Sequence, residues 1–156
     1  MLFRSGVGGN GQWDTHAGNT LQDGYYEELF DVLDQIVTDL DSAPGENGGT
    51  MLDETTVVVL SEMGRAPQAN AAGGKDHWTW TSAMLIGSGV AGGRTIGGWT
   101  DELTGEPIDL TTGEVSDSGE TMYPGHLGAT LLALADVDPD EFVDRQMGTV
   151  IEGVLE

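Results

Sequence analysis

Along this chain the apolar positions change period several times, and each change marks an element. From Leu21 to Leu40 the apolar residues Leu29, Phe30, Leu33, Ile36, Val37 and Leu40 recur at three- and four-residue spacing. Glu27, Glu28, Asp31 and Asp34 fall mostly on the other side, so the segment predicts an amphipathic helix. Pro44, Gly45, Gly48 and Gly49 end it. Thr55-Thr56-Val57-Val58-Val59-Leu60 is an uncharged, β-branched run, which suits a strand covered on both faces of a mainly parallel sheet. Helix, short loop and buried strand together read as half of a β-α-β unit, which predicts the α/β class.

Ser82-Ala83-Met84-Leu85-Ile86 predicts a second buried strand. Arg94–Gly97 and Pro107–Leu110 read as short antiparallel pieces, separated by the polar turns 104–106, 112–114 and 118–120. Pro124 to Ala135 predicts an apolar helix, and Asp138-Pro139-Asp140-Glu141 places a cap residue, a first-position proline and a glutamate at the start of a short final helix. At 156 residues the whole chain, 1–156, fits one domain, with the glycine-rich residues 1–12 as a flexible lead-in. That lead-in lacks the Gly-Lys-Ser/Thr ending of a phosphate-binding loop.

Charge narrows the function. There are 27 Asp plus Glu against 5 Lys plus Arg, a formal charge of −22, which removes non-specific attraction to nucleic acid or to an anionic membrane. The acids are spread along the whole chain, a pattern expected of a salt-adapted protein in which concentrated electrolyte screens the self-repulsion. No run approaches the roughly 18 apolar residues of a membrane span. With no export signal in view either, the chain as written reads as soluble and cytoplasmic. Cysteine is absent, so disulfides, thiolate metal sites and a cysteine nucleophile are excluded.

Candidate chemistry gathers in two places. The first is Trp13-Asp14-Thr15-His16, where Asp14 and His16, two apart on extended backbone, share a face and can meet at one metal ion or one proton. Taken alone, the pair is better read as a turn cap beside an exposed histidine. The second is Leu60-Ser61-Glu62-Met63-Gly64-Arg65-Ala66-Pro67, continuing through Asn70 to Gly74-Lys75-Asp76-His77-Trp78. It follows the central strand, where ligands collect in parallel α/β sheets. Glu62 and Arg65 also fit a solvated loop pair. His126, in the first turn of the apolar helix, is read as having a local or solvent role.

In that order, Trp-Asp-Thr-His, Ser-Glu-Met-Gly-Arg-Ala-Pro…Asn and Gly-Lys-Asp-His-Trp make the chain resemble the carboxyl-terminal part of the sulfatase-like family known as domain of unknown function 1501, of the alkaline phosphatase superfamily. The resemblance runs from about Gly9 nearly to the end and includes Gly92–Gly97 and Val137-Asp138-Pro139. It implies a partial three-layer sandwich, alkaline-phosphatase-like, with a mainly parallel sheet and a small antiparallel extension. It also implies a metal site in which Asp14, His16 and His77 hold one divalent ion (zinc, manganese, magnesium or calcium) and Glu62 contacts a second. Met63 stands where many relatives carry a histidine of that second site.

Arg65 and Lys75 are then placed to bind the anionic group of a small ester substrate. Relatives are longer, are often exported, and carry the nucleophile in an amino-terminal half; no residue here matches that nucleophile. The expectation is therefore the metal-binding half of a phosphate- or sulfate-ester hydrolase, incomplete alone and completed by a companion chain or by homo-oligomerisation. The competing expectation is a non-catalytic fragment or interaction module of the same fold.

Overall fold

In a computed structural model, the structure describes residues 13–20 and 22–156. The predicted lead-in 1–12 lies outside the described residues. The chain divides into two compact units: one joins Ser61–Ser82 to the described residues before Asp53, and the other comprises Asp53–Leu60 and Ala83–Glu156.

The first unit is built on helix α1, Gln22–Ser42, two residues longer at its end than the apolar spacing predicts. Leu33 is its buried residue, while Phe30 and Ile36 on the same apolar stripe stay exposed. Trp13 packs on the rings of Tyr25 and Tyr26, with centroids 5.5 and 5.2 Å away, and so ties the segment before the helix to its first turns. At the other end Ala43 N–H donates to the Asp39 carbonyl at 3.1 Å, and Gly48 and Gly49, both at positive φ, reverse the chain. The segment 61–82 carries a two-residue ribbon, β2 (Gly64–Arg65) paired antiparallel with β3 (His77–Trp78).

In the second unit β1 (Thr56–Leu60) pairs antiparallel with β4 (Ala83–Gly87), from Thr56 opposite Gly87 to Leu60 opposite Ala83. This corrects the expected architecture. Among the described residues the strands form two separate two-stranded antiparallel sheets, not the mainly parallel sheet of an alkaline-phosphatase-like three-layer sandwich. The physical reason lies between the strands. Parallel pairing needs a crossover that carries the chain back to the starting edge, usually a helix. Residues 61–82 hold Gly64, Pro67, Gly73 and Gly74 and no helical period, and they fold as a ribbon instead. The sequence predicts cover on both faces of the apolar run 55–60; β1 is half-buried and ends on Leu60, which is exposed.

The second unit's core is Ile108, Ile151 and Val154, with Leu85, Ile96, Leu110 and Met122 packed against them. Of the expected short antiparallel pieces, 107–110 appears as isolated bridges from Ile108 to both Val115 and Glu120, whereas 94–97 forms none and a further bridge joins Trp99 to Gly105. Helix α2, Pro124–Leu134, buries Ala129 and Thr130. The last predicted helix is a single 3-10 turn, Pro139–Glu141, whose cap Asp138 accepts the Asp140 N–H at 3.0 Å as its sequence indicated. No helix among the described residues is long and apolar enough to cross a membrane.

Candidate functional site

Two loops of the first unit are locked together before any charged group is considered. Lys75 N–H donates to the Thr15 carbonyl at 3.1 Å, and Asn19 N–H to Gly73 at 3.1 Å, so residues 15–19 run alongside 73–75. Such an approach requires glycine at 74: a Cβ there would lie 2.2 Å from the carbonyl oxygens of both Thr15 and His16. Asn70 fastens the same junction. Its amide donates to the His16 carbonyl and to Asp76 Oδ1, each at 2.9 Å, while its Oδ1 accepts Ala72 N–H at 3.0 Å and Gly74 N–H at 3.1 Å. Below, buried Thr15 accepts Gln22 Nε2 at 2.9 Å, which fixes the strip to α1.

Onto this frame the ribbon β2–β3 adds two side chains. Arg65 and His77 are direct cross-strand partners, so both project from one face of the ribbon. Gly64 beside them has no room for a Cβ, which would fall 1.8 Å from the Trp80 carbonyl.

The groups that meet are Asp14, His16, Arg65 and His77. Asp14 Oδ1 lies 2.5 Å from His16 Nδ1 and accepts Arg65 Nη2 at 3.0 Å. Arg65 Nη1 is 3.1 Å from His16 Nδ1 and donates to the Lys75 carbonyl at 3.1 Å. The rings of His16 and His77 approach to 4.4 Å between centroids, tilted by 55°. Hydrogen bonds from the His16 ring, from the His16 backbone and from Arg65, in that order, hold the Asp14 carboxyl down from 3.8 to about 2, so it is an anion across the physiological range. A carboxylate this close orients the imidazole.

Of the residues expected at a site, Asp14, His16, Arg65 and His77 come together. Glu62 does not join them: it is exposed, and its hydrogen bond is from Ser61 Oγ at 3.4 Å. Lys75 contributes through its main chain, to Thr15 and to Arg65. Asn70 stood in the sequence motif without a role, and its loop of Gly, Pro and Ala was the available sign that an Asx side chain organises it. His126 is buried, not solvent-facing: Thr149 N–H donates to its Nδ1 at 3.1 Å, which pins α2 to the 147–149 turn.

Two imidazoles and a carboxylate are chemically suited to a borderline divalent cation. Among the described residues no group of three His, Asp or Glu is already arranged around a common point. Asp14 Oδ1 and His16 Nδ1 are engaged with each other and with Arg65. The second unit contains an open hollow of about 500 Å³ bordered by Leu110, Thr111, Asp138, Asp140, Arg145 and Thr149. No histidine borders it, and Arg145 is taken up by Asp140.

A family model described as "Protein of unknown function (DUF1501)" matches residues 5–152. No curated protein and no solved structure matches the chain.

Proposed function

The chain belongs to that family, and we propose that it is the metal-binding part of a hydrolase acting on phosphate or sulfate esters, with sulfatase- or alkaline-phosphatase-like chemistry. The observation that carries the reading is the convergence of His16 and His77, from separate loops, at 4.4 Å between ring centroids with Asp14 on the Nδ1 of His16. Asp14, His16 and His77 would hold one divalent cation; an imidazole-plus-carboxylate set suits zinc or manganese better than magnesium or calcium. Bound there, the ion supplies a Lewis acid for a phosphoryl or sulfuryl oxygen and lowers the pKa of a coordinated water.

The chain's own residues do the rest. Arg65 and Lys75 bring positive charge to a surface that otherwise repels an anionic ester. A companion chain or a second copy supplies what the site lacks. In support, β1 and β4 pair only with each other among the described residues, leaving ladder edges that a further strand can extend.

The test is metal content by plasma mass spectrometry on protein purified in concentrated KCl without chelator, for the parent and for His16→Ala/His77→Ala. Near-stoichiometric metal that vanishes in the double variant is the expected result, followed by hydrolysis of an aryl phosphate or aryl sulfate; negligible metal in both proteins sinks the reading. The position of Glu62 apart from the histidines favours a second reading, a binding module of the same family without turnover. Metal binding with no ester hydrolysis, alone or with an amino-terminal companion, selects that second reading.

A further inference from the structure

Between Gly98 and Glu106 the second unit makes a short hairpin that breaks the rule of its own turn. Trp99 and Gly105 face each other in an antiparallel bridge; Thr100 N–H donates to the Thr104 carbonyl and Leu103 N–H to the Thr100 carbonyl, both at 2.9 Å. Asp101, Glu102 and Leu103 therefore form a three-residue loop, and in such hairpins the last loop residue takes the left-handed conformation that glycine enters freely. Here that residue is Leu103, at φ 57°. A leucine so placed is strained, and its side chain stays 43% exposed, so little burial is returned. Trp99 is 45% exposed, and Gly105 across from it has no side chain to cover the indole. We infer that this tip is a docking knob for a basic amphipathic helix of another polypeptide. Trp99 and Leu103 seat among the helix's apolar side chains, and Asp101 and Glu102 meet the lysines or arginines along its edges. The knob shares no residue with the histidine site and stands whether or not the chain hydrolyses esters.

Three observations support this. The first is the strain itself: a backbone rule broken with no local return is a mark of function, because glycine at 103 would close the same turn at lower cost. The second is stiffness. Thr100 and Thr104 join their Oγ1 atoms at 2.9 Å, Thr104 N–H reaches Thr100 Oγ1 at 3.3 Å, and Glu106 N–H donates to the Gly98 carbonyl at 3.0 Å. The anchors are thus held in place beforehand, so binding need not order the loop, and tryptophan is among the residues that most often dominate an interface. The third is charge, which chooses the partner. Both residues between the anchors are exposed carboxylates, and the sequence has no lysine or arginine between Arg94 and Arg145. A second copy, itself at a formal charge of −22, is repelled, whereas a cationic surface is drawn in. An amphipathic helix with basic edges offers the apolar row and the positive charge together.

The experiment follows, by fluorescence anisotropy, the binding of a labelled synthetic amphipathic helix of leucine and lysine to the full chain in dilute and in concentrated KCl. The proteins are the parent, Trp99→Ala, Leu103→Gly and Asp101→Asn/Glu102→Gln, and a scrambled peptide of the same composition is the control. The parent is expected to bind the helix at both salt concentrations and the scrambled peptide only in dilute salt, where the net charge attracts any cation. In concentrated KCl, Trp99→Ala and Leu103→Gly should each weaken helix binding by about tenfold or more. The double amide variant should lose affinity chiefly in dilute salt. Leu103→Gly should also raise the urea midpoint, since the strain it removes outweighs the entropy cost of glycine; a lower midpoint would mean that the hairpin itself needs the leucine and would overturn the proposal. No helix binding in concentrated KCl, equal binding of the scrambled peptide there, or unchanged affinity in both anchor variants overturns it too. Self-association of the parent that Leu103→Gly abolishes would assign the knob to a second copy and overturn the basic helix. Should Trp99→Ala fail to fold, the indole N–H signal of Trp99 in ¹⁵N-labelled parent decides: it should shift at saturating helix, and an unchanged signal sinks the docking knob.

Discussion

Among the described residues each unit holds one arginine–aspartate pair that invites a functional reading, and only one of the two merits it. In the second unit Arg145 grips Asp140, five residues away in sequence, with Nε on Oδ1 at 2.8 Å and Nη2 on the other oxygen. That is the better-made fork, yet Arg145 is 73% exposed and the contact closes only a short local turn. In the first unit Arg65 reaches Asp14 across 51 residues and touches one oxygen. Its setting makes the difference: the same carboxylate oxygen meets His16, the ring of His77 is close by, and glycine and asparagine hold the two loops in register. The quality of an ion pair says little about a site. What identifies one is several reactive groups brought together from distant segments at the cost of ordering the chain between them.

The comparison breaks most readily at the loop junction. Gly74→Ala sets a Cβ against the Thr15 and His16 carbonyls at 2.2 Å, and neither backbone can yield without giving up the Lys75–Thr15 and Asn70–His16 bonds. A loss of about 3 kcal/mol in urea unfolding in KCl is expected, together with loss of metal binding. Gly128→Ala in α2, where nothing lies within 4 Å, should instead add about 0.5–1 kcal/mol, because alanine replaces glycine in a helix interior. If Gly74→Ala is as stable as the parent, the two loops are not joined as described.

Asn70→Ala comes next. It strands the His16 carbonyl, Asp76 and two backbone N–H groups at once, so about 1–3 kcal/mol is expected, with zinc affinity falling alongside. Asp109 does comparable work in an exposed turn of the second unit, accepting Thr111 N–H at 2.8 Å and Thr112 N–H at 3.2 Å, but water can replace it there. Asp109→Ala should cost about 1 kcal/mol or less and leave zinc titrations unchanged. Equal effects of the two variants on zinc would mean that Asn70 is only another turn residue.

How much of this could be read beforehand follows from which interactions are local. Helix α1 was legible because Leu29, Leu33, Ile36 and Leu40 repeat with the helical period, and the Asp138 cap because its acceptor role spans two residues. Strand direction was not. An apolar run such as 56–60 is the same in either orientation, and the fold of 61–82 decides which it takes. Asp14, His16 and His77 could be picked out by residue type and spacing, and Arg65 by its motif. The group Arg65 would grip could not, since a guanidinium chooses its acceptor only after the loops have met. Lys75 stands out in the sequence for its charge, whereas its main chain makes the contacts; nothing in a side chain's chemistry announces that.

The mildest test is titration in acid, where the two pairs should respond independently. Asp14 is held at about 2 against an ordinary 3.8, so the folded protein binds this proton more weakly than the unfolded chain does. The stability it contributes is therefore complete above 3.8 and is lost as the pH falls through about 2. Asp140 is lowered as well, chiefly by its hydrogen bonds from Arg145. Following the carboxyl ¹³C signals from about pH 5 to pH 1, His16→Ala should raise the Asp14 midpoint more than Arg65→Gln does, because the His16 contacts are the larger cause. Arg145→Gln should raise Asp140 and leave Asp14 where it was. Should Arg145→Gln move Asp14 as far as Arg65→Gln does, the low value would not belong to the contacts of Asp14 itself, and the distinction between the two pairs would collapse.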